Sequence, residues 1–262
     1  TNTILTNQGT IDSITNSGSI ATFNNAQTGA TYSGTLPVNY NIIINSPTEY
    51  GSTTFSSATG TTTFGLDTVN STSGLGGYFS DILSGIGTES LTATSGNSGS
   101  QYWVILDPDS DNTLDLNLSY AGNQTINYDI STTKNYAYGY WMEENDNSTI
   151  TINGDITTTG VSAWGLLLYE SDNNTTNLTG NINTEGVSAS GLYFFDSDNN
   201  TTNLTGNITT AGDNSRGLLL RDSDRNTITI NGNIITSGTD GDSEPILVEN
   251  SNSNTFTLSG AV

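Results

Sequence analysis

The chain has no cysteine and no histidine among its 262 residues. Without cysteine there is no disulfide, no thiolate metal ligand and no thiol nucleophile. Without histidine, Ser-His-Asp and Cys-His arrangements are excluded as well. Positive charge is nearly absent: Lys134, Arg216, Arg221 and Arg225 face 26 Asp and Glu, for a net charge of −22. So acidic a chain cannot neutralise a phosphate backbone, which argues against nucleic acid as a partner. Anionic membranes and acidic polysaccharides repel it too. No run of about 18 apolar residues occurs, so no helical membrane insertion is expected. Proline is rare, with Pro37, Pro47 and Pro108 in one stretch and Pro245 apart. The chain starts at Thr1 with no signal-peptide apolar segment, so the expectation is a mature or excised part of an exported protein.

What the chain does have is repetition. Gly154, Gly180, Gly206 and Gly232 are spaced 26 residues apart, and so are Gly139, Gly165, Gly191 and Gly217. The step from Gly232 to Gly260 is 28. A fixed period of this size marks a solenoid, each repeat one structural unit stacked on the next.

Read in register, the repeat consists of strands. Ile152, Leu178, Leu204, Ile230 and Leu258 form an apolar column, flanked by Thr149, Thr175, Thr201, Thr227 and Thr255 and by Thr151, Asn177, Asn203, Thr229 and Thr257. That alternation has the period of a strand with one buried face. Ile130, Ile156, Ile182, Ile208 and Ile234 open a second strand, with Thr132, Thr158, Thr184, Thr210 and Thr236 on the same inward face. Those hydroxyls need partners inside. A third strand places Tyr140/Met142, Leu166/Leu168, Leu192/Phe194, Leu218/Leu220 and Ile246/Val248 inward. Three short strands per 26-residue coil predict an all-β parallel β-helix, right-handed by the default of parallel crossovers. Its regular part runs over 120–262, with irregular β coils or a cap over 1–36. Residues 37–119 read as a β-rich insertion or a sheet packed beside the rod. Within them, 51–67 read as a hairpin around Ala58–Thr61.

The stretch NQGTIDSITNSGSIATFNN at 7–25 resembles the Asn-Gly-Thr-Ile repeats of bacterial autotransporter passengers. YNIIINSPTEYGSTTFSSATGTTTFGLD, YFSDILSGI and YWVILDPDSDNTLDLNL are similar to a segment that often follows those repeats. The motif resemblance covers roughly residues 1–120, and the remainder agrees in repeat style. It implies a β-helical passenger displayed outside the bacterial cell, often an adhesin. The family's C-terminal membrane barrel has no counterpart here, because no alternating strands of about ten residues with aromatic girdles follow the repeats.

Four features are candidates for chemistry. Asp107, Asp109 and Asp111 alternate in DPDSDN, a spacing that can wrap calcium; Asn112 stands where the loop glycine belongs and Leu118 where the bidentate Glu belongs. The corners place Glu170/Asp172, Asp196/Asp198 and Asp222/Asp224 in stacked pairs beside Asn174, Asn200, Asn226 and Asn254, which predicts an Asn ladder or cations held between coils. The outward Thr/Asn array resembles the flat faces of ice-binding solenoids. Finally, Trp141, Leu167, Tyr193, Leu219 and Leu247 face outward by alternation yet are all apolar, with Tyr169 and Phe195 beside them. Such a stripe is larger than a monomer leaves wet. Either residues 37–119 fold over it, or a second copy or a cell-surface partner covers it.

No singular cluster of carboxylates stands out from the repeating corners, so an enzyme is not expected. The expectation is an extracellular bacterial surface protein, structural or adhesive, able to self-assemble. A β-helix that binds or cleaves polysaccharide is the alternative, and an ice-binding face a minor one.

Overall fold

The computed structural model describes residues 3–71, 76–107 and 112–262. Apart from one 3-10 turn at Thr88–Ser90, the described elements are strands. Parallel stacked sheets form a β-solenoid of about eight turns with coils of roughly 26 residues. The chain divides into two compact units, Thr1–Leu75 with Phe79–Leu118, and Gly76–Tyr78 with Ser119–Val262.

The second unit has three parallel sheets of six, five and five strands. Every step is in register. Ile130 lies beside Ile156, and Ile156, Ile182, Ile208 and Ile234 follow one another. Ile156, Ile182 and Ile208 are fully buried. In the first sheet Ile152, Leu178, Leu204 and Ile230 stack in the same way. Identical or similar side chains therefore meet at the strand spacing of about 4.8 Å, and each coil covers the apolar face of the one below.

Ladders satisfy many of the inward polar groups. Thr132 Oγ1 donates to the Ala137 carbonyl at 2.6 Å, and Thr158 and Thr184 donate to Ala163 and Ala189 in the same manner. At a corner, Asn174, Asn200, Asn226 and Asn254 form the expected Asn ladder. Each Oδ1 accepts a backbone N–H from the coil before it (2.7 to 2.8 Å). Each Nδ2 donates to a backbone carbonyl, those of Asn145, Ser171, Ser197 and Ser223. The corners also bend through left-handed backbone, as at Asn147, Asn173 and Asn199 (φ 57°, 57° and 56°). Asn tolerates that region better than other chiral residues, which accounts for the Asn-rich corners.

The first unit stacks its strands in parallel too, but with unequal coils. Ile4 pairs with Thr22, Thr22 with Asn39 and Asn39 with Thr63, steps of 18, 17 and 24 residues. The strands Asn39–Ile42, Thr53–Thr59 and Thr63–Leu66 therefore belong to the same parallel stacks as those of residues 4–35, and a short antiparallel pair, Ile44–Ser46 with Glu49–Tyr50, lies between the first two. The hairpin reading of 51–67 is corrected. Thr53–Thr59 pairs with Ala30–Thr35, and Thr63–Leu66 pairs with Asn39–Ile42, in two different sheets. Gly60, at φ 92°, turns a corner between two sides of a coil. Phe55 and Phe64 both point into an aromatic core with Phe23, Tyr32, Tyr40 and Trp103. An antiparallel pair, Ser95–Ser98 with Gln101–Leu106, extends one of the sheets.

Candidate functional site

The outer face of the third sheet of the second unit carries the apolar column singled out above. Its strands are Tyr140–Glu143, Leu166–Tyr169, Leu192–Phe195, Leu218–Arg221 and Ile246–Glu249. Trp141, Leu167, Tyr193, Leu219 and Leu247 stack in register along it. This outward column is largely covered within the chain: Trp141, Leu167, Tyr193 and Leu219 are only 6, 2, 7 and 6 % exposed. Leu247, Tyr169 and Phe195 are half-buried.

Aromatic side chains from flanking positions account for part of that cover. Tyr138 meets the Trp141 ring at 6.1 Å and stacks on Trp164 at 5.0 Å with an interplanar angle of 13°. Trp164 meets Tyr193 edge-on at 5.0 Å, Tyr193 meets Phe195 at 6.2 Å, and Phe195 stacks on Tyr169 at 5.0 Å. Six rings thus form one unbroken chain over three coils. Two of its contacts are face to face, because residues 26 apart sit one strand spacing away from each other. Stacked rings cover one another's faces and turn their edges outward. Tyr138 and Trp164, which lie before the third strand, were not among the residues read as a site. Their spacing of 26 was the available signal.

Polar groups border this chain. Trp141 Nε1 donates to Glu143 Oε2 at 3.1 Å. Burial raises the Glu143 pKa to about 7; the Trp141 bond opposes the shift, and Glu170 and Glu144 reinforce it. Burial likewise pushes the Tyr138 phenol up to about 12. In the fourth coil Arg221 occupies the position of Glu143, Tyr169 and Phe195, and it binds Glu249 at 2.6 Å. The face thus runs from a partly protonated carboxylate, through aromatic rings, to an ion pair. It suits contact with a surface rather than enclosure of a small molecule.

The other candidates fall elsewhere. Asp107 is half-buried, whereas Asp109 and Asp111 lie outside the described residues. Among the described residues no group of three or more Asp, Glu, His or Cys is placed to hold a metal ion. One carboxylate of each corner pair has a backbone partner: Oδ1 of Asp172, Asp198 and Asp224, like that of Asp146, accepts the N–H of the residue one coil on, at 2.6 to 2.7 Å. Arg225 bridges Asp198 and Asp224.

Comparison with protein-family profiles, curated proteins and solved structures finds no match to this chain.

Proposed function

We propose that this chain is a structural and adhesive β-helix displayed outside a bacterial cell, of the kind found in autotransporter passengers. It meets its partner on the outer face of the third sheet of the second unit. The observation that supports this reading is the six-ring chain from Trp141 to Tyr169, bordered by Glu143 at one end and the Arg221–Glu249 pair at the other. Aromatic residues with an adjacent arginine are the side chains that concentrate binding energy at protein interfaces. The ladders hold them in place before contact, so little entropy is lost on binding.

The test is retention of purified protein on bacterial and host cells and on a glycan panel. Tyr169→Ser with Phe195→Ser removes the accessible end of the ring chain and leaves the inward face intact. Retention is expected to fall about tenfold or more, the loss of one hot-spot contact, with the far-UV circular dichroism unchanged. Equal retention of the folded double variant removes this face from the function. Release of sugars from the panel favours a polysaccharide-cleaving β-helix instead.

A further inference from the structure

The first sheet of the second unit carries a Thr/Asn outer face, wider than the single outward rank Ser131, Thr157, Asn183, Thr209 and Ile235 of the second sheet. Its strands include Thr149–Asn153, Thr175–Thr179, Thr201–Thr205, Thr227–Asn231 and Thr255–Leu258, all parallel and in register. Every outward position of these five strands is Thr or Asn. The rank from Thr149 to Thr255 is threonine in all five coils. No outward position there carries charge or an aromatic ring, in a chain with 26 acidic residues.

The outward groups form a rectangular mesh. Its repeats are about 4.8 Å from coil to coil and about 6.6 Å between alternate residues of a strand. The mesh is stiff. Threonine is β-branched and restricted at χ1. The Asn side chains bond along the stack: Asn203 Nδ2 donates to Asn177 Oδ1 at 3.0 Å, and Asn153 Nδ2 donates to Asn127 Oδ1 at 2.8 Å.

The chemistry narrows the occupant. Phosphate or acidic polymer needs cations, and the face has none. Sugar rings and bases are held by aromatic faces, which are absent here. A rigid two-dimensional array of methyls, hydroxyls and amides fits a ligand that is itself a lattice of hydrogen-bonding groups with similar repeats. The oxygen rows on the prism faces of hexagonal ice repeat at a slightly shorter and a somewhat longer spacing, near enough for an outer water layer to adjust between the two. We infer that the Thr/Asn face of the first sheet binds ice. Threonine methyls exclude loose water, while hydroxyls and amides hold the outermost water layer in the positions of the crystal. This site is separate from the ring chain on the third sheet, so either can fail without the other.

The experiment is partition of the purified chain into slowly growing ice, with freezing hysteresis measured in parallel. The intact chain is expected to enter the ice and to hold the freezing point below the melting point. Asn203→Lys, which sets a cation in the middle of the mesh, is expected to abolish both effects. Thr205→Lys on the same face should do the same, should the first variant fold poorly. Thr209→Lys, outward on the second sheet, should leave both unchanged. Exclusion of the intact chain from ice overturns the inference, and so does full hysteresis in a folded Asn203→Lys variant. Retention on microcrystalline cellulose without any effect on ice assigns the mesh to a crystalline polysaccharide, which also overturns it.

Discussion

At the scale of single residues, two inward groups make opposite predictions from the same column. Thr158 donates to the Ala163 carbonyl, whereas the buried Thr210 hydroxyl has no hydrogen-bond partner among the described residues. Thr158→Val removes a made hydrogen bond and is expected to cost about 1 kcal/mol. Thr210→Val removes a desolvated hydroxyl that gains nothing, and is expected to be neutral or stabilising. Urea unfolding of the two variants checks the pair. Glu143 makes a pH prediction. Its folded-state pKa of about 7 lies above the ordinary value of 4.5, mainly through burial. The native state therefore holds the proton more tightly than the unfolded chain does. The resulting stability is present at acid pH and is lost as pH rises through about 7. Glu143→Gln keeps an acceptor for Trp141 without the charge. Its Tm should match that of the parent at pH 4 and exceed it at pH 8. A constant difference across that range would mean that Glu143 is not shifted.

At the scale of elements, the corners lock coil to coil as well as the strands do. Asn200 is 1 % exposed; it accepts from the Asn174 N–H at 2.8 Å and donates to the Ser171 carbonyl at 2.9 Å. Asn200→Ala leaves both backbone groups buried and unpaired, for an expected loss of about 3 kcal/mol. Thr179→Ala, exposed on a neighbouring strand, should stay within about 0.5 kcal/mol. Thermal unfolding of the two separates ladder from surface. Much of this was legible beforehand. The inward isoleucine and threonine columns and the Asn ladder follow from a period of 26, because identical residues recur at identical places. The acidic corners required the structure. Stacked carboxylates suggest a bridging cation until the backbone N–H of the next coil is seen to take the oxygen.

For the molecule as a whole, register is the condition for folding. Deleting residues 180–205 removes one full step of 26 and is expected to leave a shorter, folded stack. Deleting 177–201 instead places the joint inside a strand, where Asn203 takes the inward position of Leu178 and Leu204 turns outward. Circular dichroism and a cooperative melt should survive the first deletion and be lost in the second. If both variants melt alike, the in-register stack is not what holds the second unit together. The net charge of −22 adds a global term. Repulsion among exposed carboxylates falls as the Debye length shortens from about 30 Å at 0.01 M to about 10 Å at 0.1 M salt. Tm is accordingly expected to rise with sodium chloride over that range.

The sequence by itself determined that this is a parallel stack of three-stranded coils in its second half. The reason is that each coil has the same length, so buried positions recur at a constant interval that can be counted. Tertiary structure decided what lacks such an interval. The coils of the first unit advance by 18, 17 and 24 residues, so their rungs at 39–66 leave no period to find. Alternation placed Trp141, Leu167, Tyr193 and Leu219 on the outer side correctly. Whether they meet water depends on which side chains bend across them, and spacing along a strand carries no record of that.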